Sequence, residues 1–259
     1  MILRPYQSQA VDRVAKAHAQ GHQGVMLVLP TGAGKTVVFA EVVRRIVASG
    51  GSVLIVVPRQ ELVPQTADKL WRVGVQCGVL ASAFAQPDPN AAVQLTMPQS
   101  CQARAPRLLR APDYLVMDEA HLAMAQTYRA VAERFPAACR LLVTATPWRL
   151  DRRGFMSLSS AMVLGATVSE LVQDGSLVPV RTFSHPLLDT TKLHTVAGDY
   201  DLGEQSRLLC NDFLLGDVVK HWQQHATDRT GIVFASSVGH GALLTELFTA
   251  AGIGARLLT

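Results

Sequence analysis

The chain has no run of the roughly 18 apolar residues that a membrane-spanning helix requires, so a membrane protein is not expected. Its first residues, MILRPYQSQAVDR, hold no apolar signal region, which argues against secretion. The cysteines Cys77, Cys101, Cys139 and Cys210 are scattered without a C-x-x-C pair and read as reduced thiols of a cytoplasmic protein. There is no internal repeat and no low-complexity tract. Charged residues are sparse at 17% and apolar ones reach 49%, a balance that excludes a disordered chain. The 259 residues suffice for one large domain or two small ones. A net charge of +4 and a pI near 9.0 are compatible with a polyanionic partner without establishing one.

Short β-branched runs alternate with helical patterns. Strands are expected at Val25–Leu29, Val53–Val57, Val93–Thr96, Tyr114–Asp118, Leu141–Thr144, Leu177–Phe183 and Gly231–Ala235. Helices are expected at Tyr6–Ala19, Lys35–Ala48, Gln60–Trp71, Met124–Arg134, Ala166–Gln173, Asp212–His225 and Gly239–Ala250. Several strands are apolar throughout, as when both faces of a sheet are covered. The pattern predicts an α/β fold with a parallel sheet between helices, whose ligands sit at the carboxyl ends of the strands. The segment Ser184–Cys210 is poorer in apolar residues and reads as a join. The expected organisation is a first domain at 1–183, a linker at 184–210 and the start of a second domain at 211–259. A lone strand–helix–strand cannot cover its own sheet, so the second domain reads as incomplete.

The stretch LVLPTGAGKTVVF carries the chemistry. Gly32 and Gly34 can take positive φ and let backbone N–H groups face a phosphate. The helix that starts near Lys35 adds its positive dipole end. Lys35 can reach the β- and γ-phosphates, and the Thr36 hydroxyl can ligate Mg²⁺. Leu29 stands where the strict G-x-x-x-x-G-K-[ST] pattern has its first glycine. About eighty residues on, YLVMDEAH ends an apolar strand with two carboxylates. Asp118 can hold Mg²⁺ through its hydration shell, and Glu119 can orient and deprotonate an attacking water. Taken alone, such a pair could simply cap the following helix.

LRPYQ at Leu3–Gln7, PTGAGKT at Pro30–Thr36, VPRQELVPQ at Val57–Gln65, DEAH at Asp118–His121 and TATP at Thr144–Pro147 occur in an order that resembles superfamily-two DEAD/DEAH-box helicases. ATPWRLDRRGF and LVQDGSLVP look similar to segments of bacterial and phage RadD-type members. The resemblance implies a RecA-like P-loop domain plus the start of a second RecA-like domain at Gly231–Ile253. It implies ATP and Mg²⁺ as cofactors, with Thr31, Gly32, Ala33, Gly34, Lys35 and Thr36 around the phosphates. Gln7 would bond the adenine edge, with Arg4 or Tyr6 beside the base, although LRPYQ is also an ordinary helix start. Arg59, Gln65, Gln99 and Ser100 would contact nucleic-acid phosphates, or else are plain polar surface. Thr144, Thr146 and His121 would couple the phosphate site to the nucleic-acid track.

Arg149, Arg152 and Arg153 read either as a nucleic-acid contact or as a solvated turn. His221 and His225 have helical metal-ligand spacing but no acidic or cysteine partner nearby in sequence. Trp71, Trp148 and Trp222 read as packing residues.

The resemblance therefore implies an ATP-dependent helicase or translocase acting on nucleic acid, with DNA favoured over RNA; a monomer is expected, though the sequence does not give the oligomeric state. Its arginine-finger motif, Q-x-x-G-R-x-x-R, is not present in these residues. A second expectation is therefore a nucleotide- or nucleic-acid-binding fragment with little turnover. A nucleotide kinase would leave PRQELVPQ and TATP unexplained.

Overall fold

A computed structural model describes residues 2–80, 88, 90–101, 111–120, 126–147, 158–183, 194–196, 199–201, 203–204, 212–227 and 229–258. The chain divides into two units, Met1–Arg181 and Thr182–Thr259.

The first unit runs α1 (Pro5–Ala19), β1 (Gly24–Val28), α2 (Lys35–Ala48), β2 (Val53–Val56), α3 (Leu62–Arg72), β3 (Gly78–Leu80), β4 (Val93–Thr96), β5 (Tyr114–Met117), α4 (Gln126–Arg134), β6 (Cys139–Thr144), β7 (Ala161–Leu164) and α5 (Val168–Gln173). Seven strands form one sheet in the order β3-β4-β2-β5-β6-β1-β7, and every pairing is parallel.

Strand side chains alternate between two cores. Leu27, Ile55, Val116 and Val143 join Phe39 of α2 and Leu70 of α3 on one face. Met26, Leu54, Val56, Leu115, Met117 and Leu142 join Tyr128, Val131 and Phe135 from α4 and its end on the other. Strands such as VLIV are buried at every residue because helices cover both faces.

Local signals set the helix ends. Pro5 opens α1, and the Gln7 side chain accepts from the Arg4 N–H at 3.0 Å, closing the first turn. Thr167 and Glu170 form a reciprocal cap, so α5 begins at Val168 and not at Ala166. Residues 59–61 turn before α3, which starts at Leu62 and not at Gln60.

Two expected strands are not formed. Leu177–Phe183 is irregular. Pro179 cannot donate to a ladder, and Val178 and Val180 are about 80% exposed. Gly231–Ala235 has no ladder partner among the described residues, and Phe234 is 92% exposed. Conversely, β3 and β7 were not expected from the sequence. Both are edge strands of the sheet, each formed by pairing with a single neighbour.

The second unit holds a two-residue hairpin, β8 (Thr195–Val196) with β9 (Asp199–Tyr200), then α6 (Asp212–His225) and α7 (Val238–Ala250). Trp222 of α6 meets Phe248 of α7 edge to face at 5.7 Å. Ser237 caps α7 by accepting from the His240 N–H. No helix among the described residues is long and apolar enough to cross a membrane.

Candidate nucleotide-binding and hydrolysis site

Because the sheet is all parallel, the carboxyl ends of β1, β2, β4, β5 and β6 open onto one edge. The loop before Lys35 leaves β1, and Asp118 and Glu119 leave β5. Thr144 ends β6, Arg59 follows β2, and Gln99 and Ser100 follow β4. Met117 pairs with Leu142, and Leu142 pairs with Met26. Asp118 therefore leaves the sheet two strand spacings, about 10 Å, from the strand that feeds the loop. A lysine side chain and a metal-bridged phosphate can span that gap.

The loop at residues 29–34 is held from several sides. The Leu29 N–H donates to the Thr144 carbonyl at 3.1 Å, tying the loop to the TATP segment. The Tyr6 hydroxyl and the Gln7 amide both donate to the Ala33 carbonyl, at 3.0 and 3.1 Å. Gly34 sits at φ 80°, where a Cβ would come within 2.7 Å of Gln7 Nε2. Both the left-handed backbone and this close approach demand glycine there. Gly34 is also the N-cap of α2, so the helix dipole opens directly behind Lys35. Thr31 and Gly32 are exposed, while Lys35 and Thr36 are half-buried.

Asp118 is buried, and its pKa is pushed up to about 6. Burial is the main cause, and the Glu119 charge adds to it. The Glu119 N–H, which donates to Asp118 Oδ1 at 3.0 Å, opposes the rise, as does the charge of Lys35. Among the described residues, Glu119 is the one non-glycine residue with positive φ, at 50°. Such a conformation is held in place by its surroundings and fixes the direction in which the side chain leaves the strand.

The donors fit Mg²⁺. A carboxylate that is still mostly ionised at neutral pH and a hydroxyl on the first helical turn are the hard oxygen ligands this ion takes alongside phosphate. Among the described residues, no group of three or more His, Cys, Asp or Glu side chains could form a separate metal cluster.

Thr144 is fully buried, and its hydroxyl both donates to the Thr146 carbonyl and accepts from the Thr146 N–H, each at 3.1 Å. This closes a tight turn beside the loop, with Thr146 exposed at its tip. Arg59, Gln65 and Gln99 are exposed, whereas Ser100 is only 9% exposed. Arg4 is exposed at the start of α1. His121, Trp148, Arg149, Arg152, Arg153 and Cys210 lie outside the described residues. Trp71 is exposed, contrary to the packing role expected of it. His221 Nδ1 meets the Asp217 carbonyl, and His225 stacks on Phe183 at 4.1 Å.

Two features of this edge were not read from the sequence. One is the latch of Tyr6 and Gln7 onto the Ala33 carbonyl, a contact across 26 residues or more that no local pattern encodes. The other is Tyr128, which on a Tyr128–Val131–Ala132–Phe135 stripe looks like any core residue.

A model of the family described as "Type III restriction enzyme, res subunit" matches residues 1–149. A 51.5 kDa protein of a Lactococcus phage (isolate 7-9) is 32% identical over 89% of this chain and 48% of its own length. The DNA 3'-5' translocase XPB2 of Sulfurisphaera tokodaii is 32% identical over 58% of this chain and 32% of its own. The chain thus spans half or less of these curated relatives. A fragment structure from Vibrio vulnificus YJ016, assigned as the HsdR subunit of a type I restriction enzyme, has a similar fold. Its TM-score is 0.70 at 19% identity, covering 97% of this chain and 47% of that one. The family match covers more than half of the chain, and the parallel sheet carries its motifs on one edge; the chain belongs to the type III restriction enzyme res-subunit family, among the superfamily-two helicases.

Proposed function

We propose that the chain is the ATP-binding part of a helicase or translocase motor that acts on nucleic acid, with DNA as the favoured substrate. One observation carries the reading: the loop that holds Lys35 leaves the carboxyl end of β1 and the buried Asp118 leaves that of β5, on one edge of the all-parallel sheet. Lys35 and the backbone of residues 31–36 would hold the triphosphate. Thr36 and Asp118 would hold Mg²⁺, which supplies charge neutralisation of the phosphates when bound. Glu119 would take the proton of the attacking water. Gln7 and Arg4 would read the base. Gln7 would do so while its amide stays on the Ala33 carbonyl, so base recognition and loop shape are coupled. Arg59, Gln65 and Gln99 would contact backbone phosphates, and Thr144 and Thr146 would pass changes in the loop to that track. Residues 1–183 would form the first RecA-like domain, 184–210 the join and 211–259 part of the second.

DNA is favoured because a translocase relative is named for it and because the family model is that of a restriction enzyme. ATPase measurements with and without single- and double-stranded DNA and RNA test the proposal. Turnover that rises with nucleic acid and disappears in Lys35→Ala and Glu119→Gln is expected. Wild-type turnover indifferent to every nucleic acid and to Lys35→Ala would refute it.

A second reading rests on one fact, that no Q-x-x-G-R-x-x-R motif is present in the 259 residues. Arginine fingers contribute on the order of 10³–10⁵ in turnover in related phosphoryl-transfer enzymes. The 259-residue chain alone would then bind MgATP but hydrolyse it slowly.

A further inference from the structure

Tyr128 lies on α4 and is 3% exposed. It packs in the same core as Met117 and Ala120, the residues that flank Asp118 and Glu119. Its hydroxyl is buried and has no hydrogen-bond partner among the described residues. A buried donor without a partner is a standing cost to a fold, and a phenylalanine would fill the same apolar space without it. Burial foremost, then the charges of Asp118 and Glu119, push the ionisation of this phenol upward, so it remains a neutral O–H donor facing the field of the carboxylates. Asp118 uses one oxygen to accept the Glu119 N–H, which leaves acceptor capacity on a carboxylate that has about four lone-pair sites.

We propose that Tyr128 is a positioning residue for the metal-holding carboxylate: its buried hydroxyl donates to Asp118 when Mg²⁺ and nucleotide are taken up, and so keeps that carboxylate directed at the ion. The role rests on the assignment of Asp118 given above. In the nucleotide-free chain the donor is stranded, and in the loaded chain it is used. Stability of the nucleotide-free chain should therefore rise, and affinity for Mg²⁺ fall, when it is removed.

The experiment follows binding of a fluorescent ATP analogue to the chain as Mg²⁺ is titrated, with melting curves recorded in EDTA. Tyr128→Phe is expected to raise the Mg²⁺ concentration at half-saturation about tenfold, the worth of a hydrogen bond to a charged group. It should leave binding of the analogue in EDTA unchanged, and it should raise the nucleotide-free Tm by about 2–4 °C through loss of the orphan hydroxyl. A purely structural tyrosine would give a lower Tm and an unaltered Mg²⁺ demand, and that result would overturn the role. Lys35→Ala separates the two layers of the argument. A wild-type chain that takes up no analogue, or a Lys35→Ala variant that takes it up undiminished, overturns the site and this role together. An unaltered Mg²⁺ demand in Tyr128→Phe, with Lys35→Ala unable to bind, overturns the role of Tyr128 alone.

Discussion

Val53–Val56 and Gly231–Ala235 are both short β-branched apolar runs, VLIV and GIVFA, each between helical segments. The first is a strand buried at every residue, with β4 on one side and β5 on the other. The second pairs with no strand among the described residues, and its Ile232 and Phe234 are 81% and 92% exposed. The difference is not one of propensity. A strand exists only when neighbouring chains satisfy its N–H and C=O groups, and its side chains are buried only when layers cover both faces. The first unit supplies seven strands and helices on both faces. The second supplies, among the described residues, α6, α7 and a two-residue hairpin.

The largest expected effect probes burial itself. Phe39→Ala empties a fully buried position beneath α2 and should cost about 3–5 kcal/mol. Phe234→Ala should stay within about 0.5 kcal/mol. Denaturant unfolding of the two variants measures both, and a Phe234→Ala cost comparable to that of Phe39→Ala would break the comparison.

Charge sharpens the contrast next. Asp118 has a folded pKa of about 6, above its usual value of 3.8. Between those values the folded chain binds the extra proton, so stability contributed by the neutral form is lost as pH rises from about 4 to about 6. Asp118→Asn should therefore stabilise the chain in EDTA by about 2–3 kcal/mol at pH 7 and by little at pH 4. In the second unit the His194–Glu204 pair is solvent-exposed on its histidine side, at 2.9 Å. Glu204→Gln should give no measurable change in Tm at either pH. Melting curves at the two pH values test both variants.

Backbone geometry comes third. Gly34 and Gly252 both have positive φ, but a Cβ at Gly34 would meet Gln7 Nε2, while one at Gly252 would meet nothing within 4 Å. Gly252→Ala should cost about 1–2 kcal/mol, the price of the left-handed conformation alone. Gly34→Ala should cost somewhat more and also weaken binding of an ATP analogue, read by fluorescence titration. Equal stability costs with undisturbed analogue binding would deny the Gln7 latch any role at the loop. The smallest effect concerns a local device that works wherever a helix starts. Ser237→Ala removes the cap of α7 and should cost about 1 kcal/mol despite the exposed surroundings.

Much of the first unit was legible in the sequence because its signals are local. Apolar runs marked β1, β2, β4, β5 and β6 to within one or two residues, and Pro5 and the glycines marked the turns. The site motifs were legible for a related reason. Phosphate loops and strand-end carboxylates need particular residue types at fixed offsets from a strand end. What stayed hidden was non-local. β3 and β7 are the edge strands, and each is a strand because it pairs with one neighbour, β4 or β1. The partners of Gln7 and the isolation of the Tyr128 hydroxyl depend on which segments meet in space.

The sequence by itself determined most element types of the first unit, the glycine-rich loop before Lys35 and the paired carboxylates Asp118 and Glu119 at a strand end. Each of these rests on the residues within one strand or one helical turn. Only the tertiary structure decided that Lys35 and Asp118 share an edge, that Gln7 and Tyr6 latch the Ala33 carbonyl, and that VLIV is a strand while GIVFA is not. Strand order, burial and electric fields are properties of chain segments brought together, and an all-parallel sheet is what places the ends of distant strands on one side.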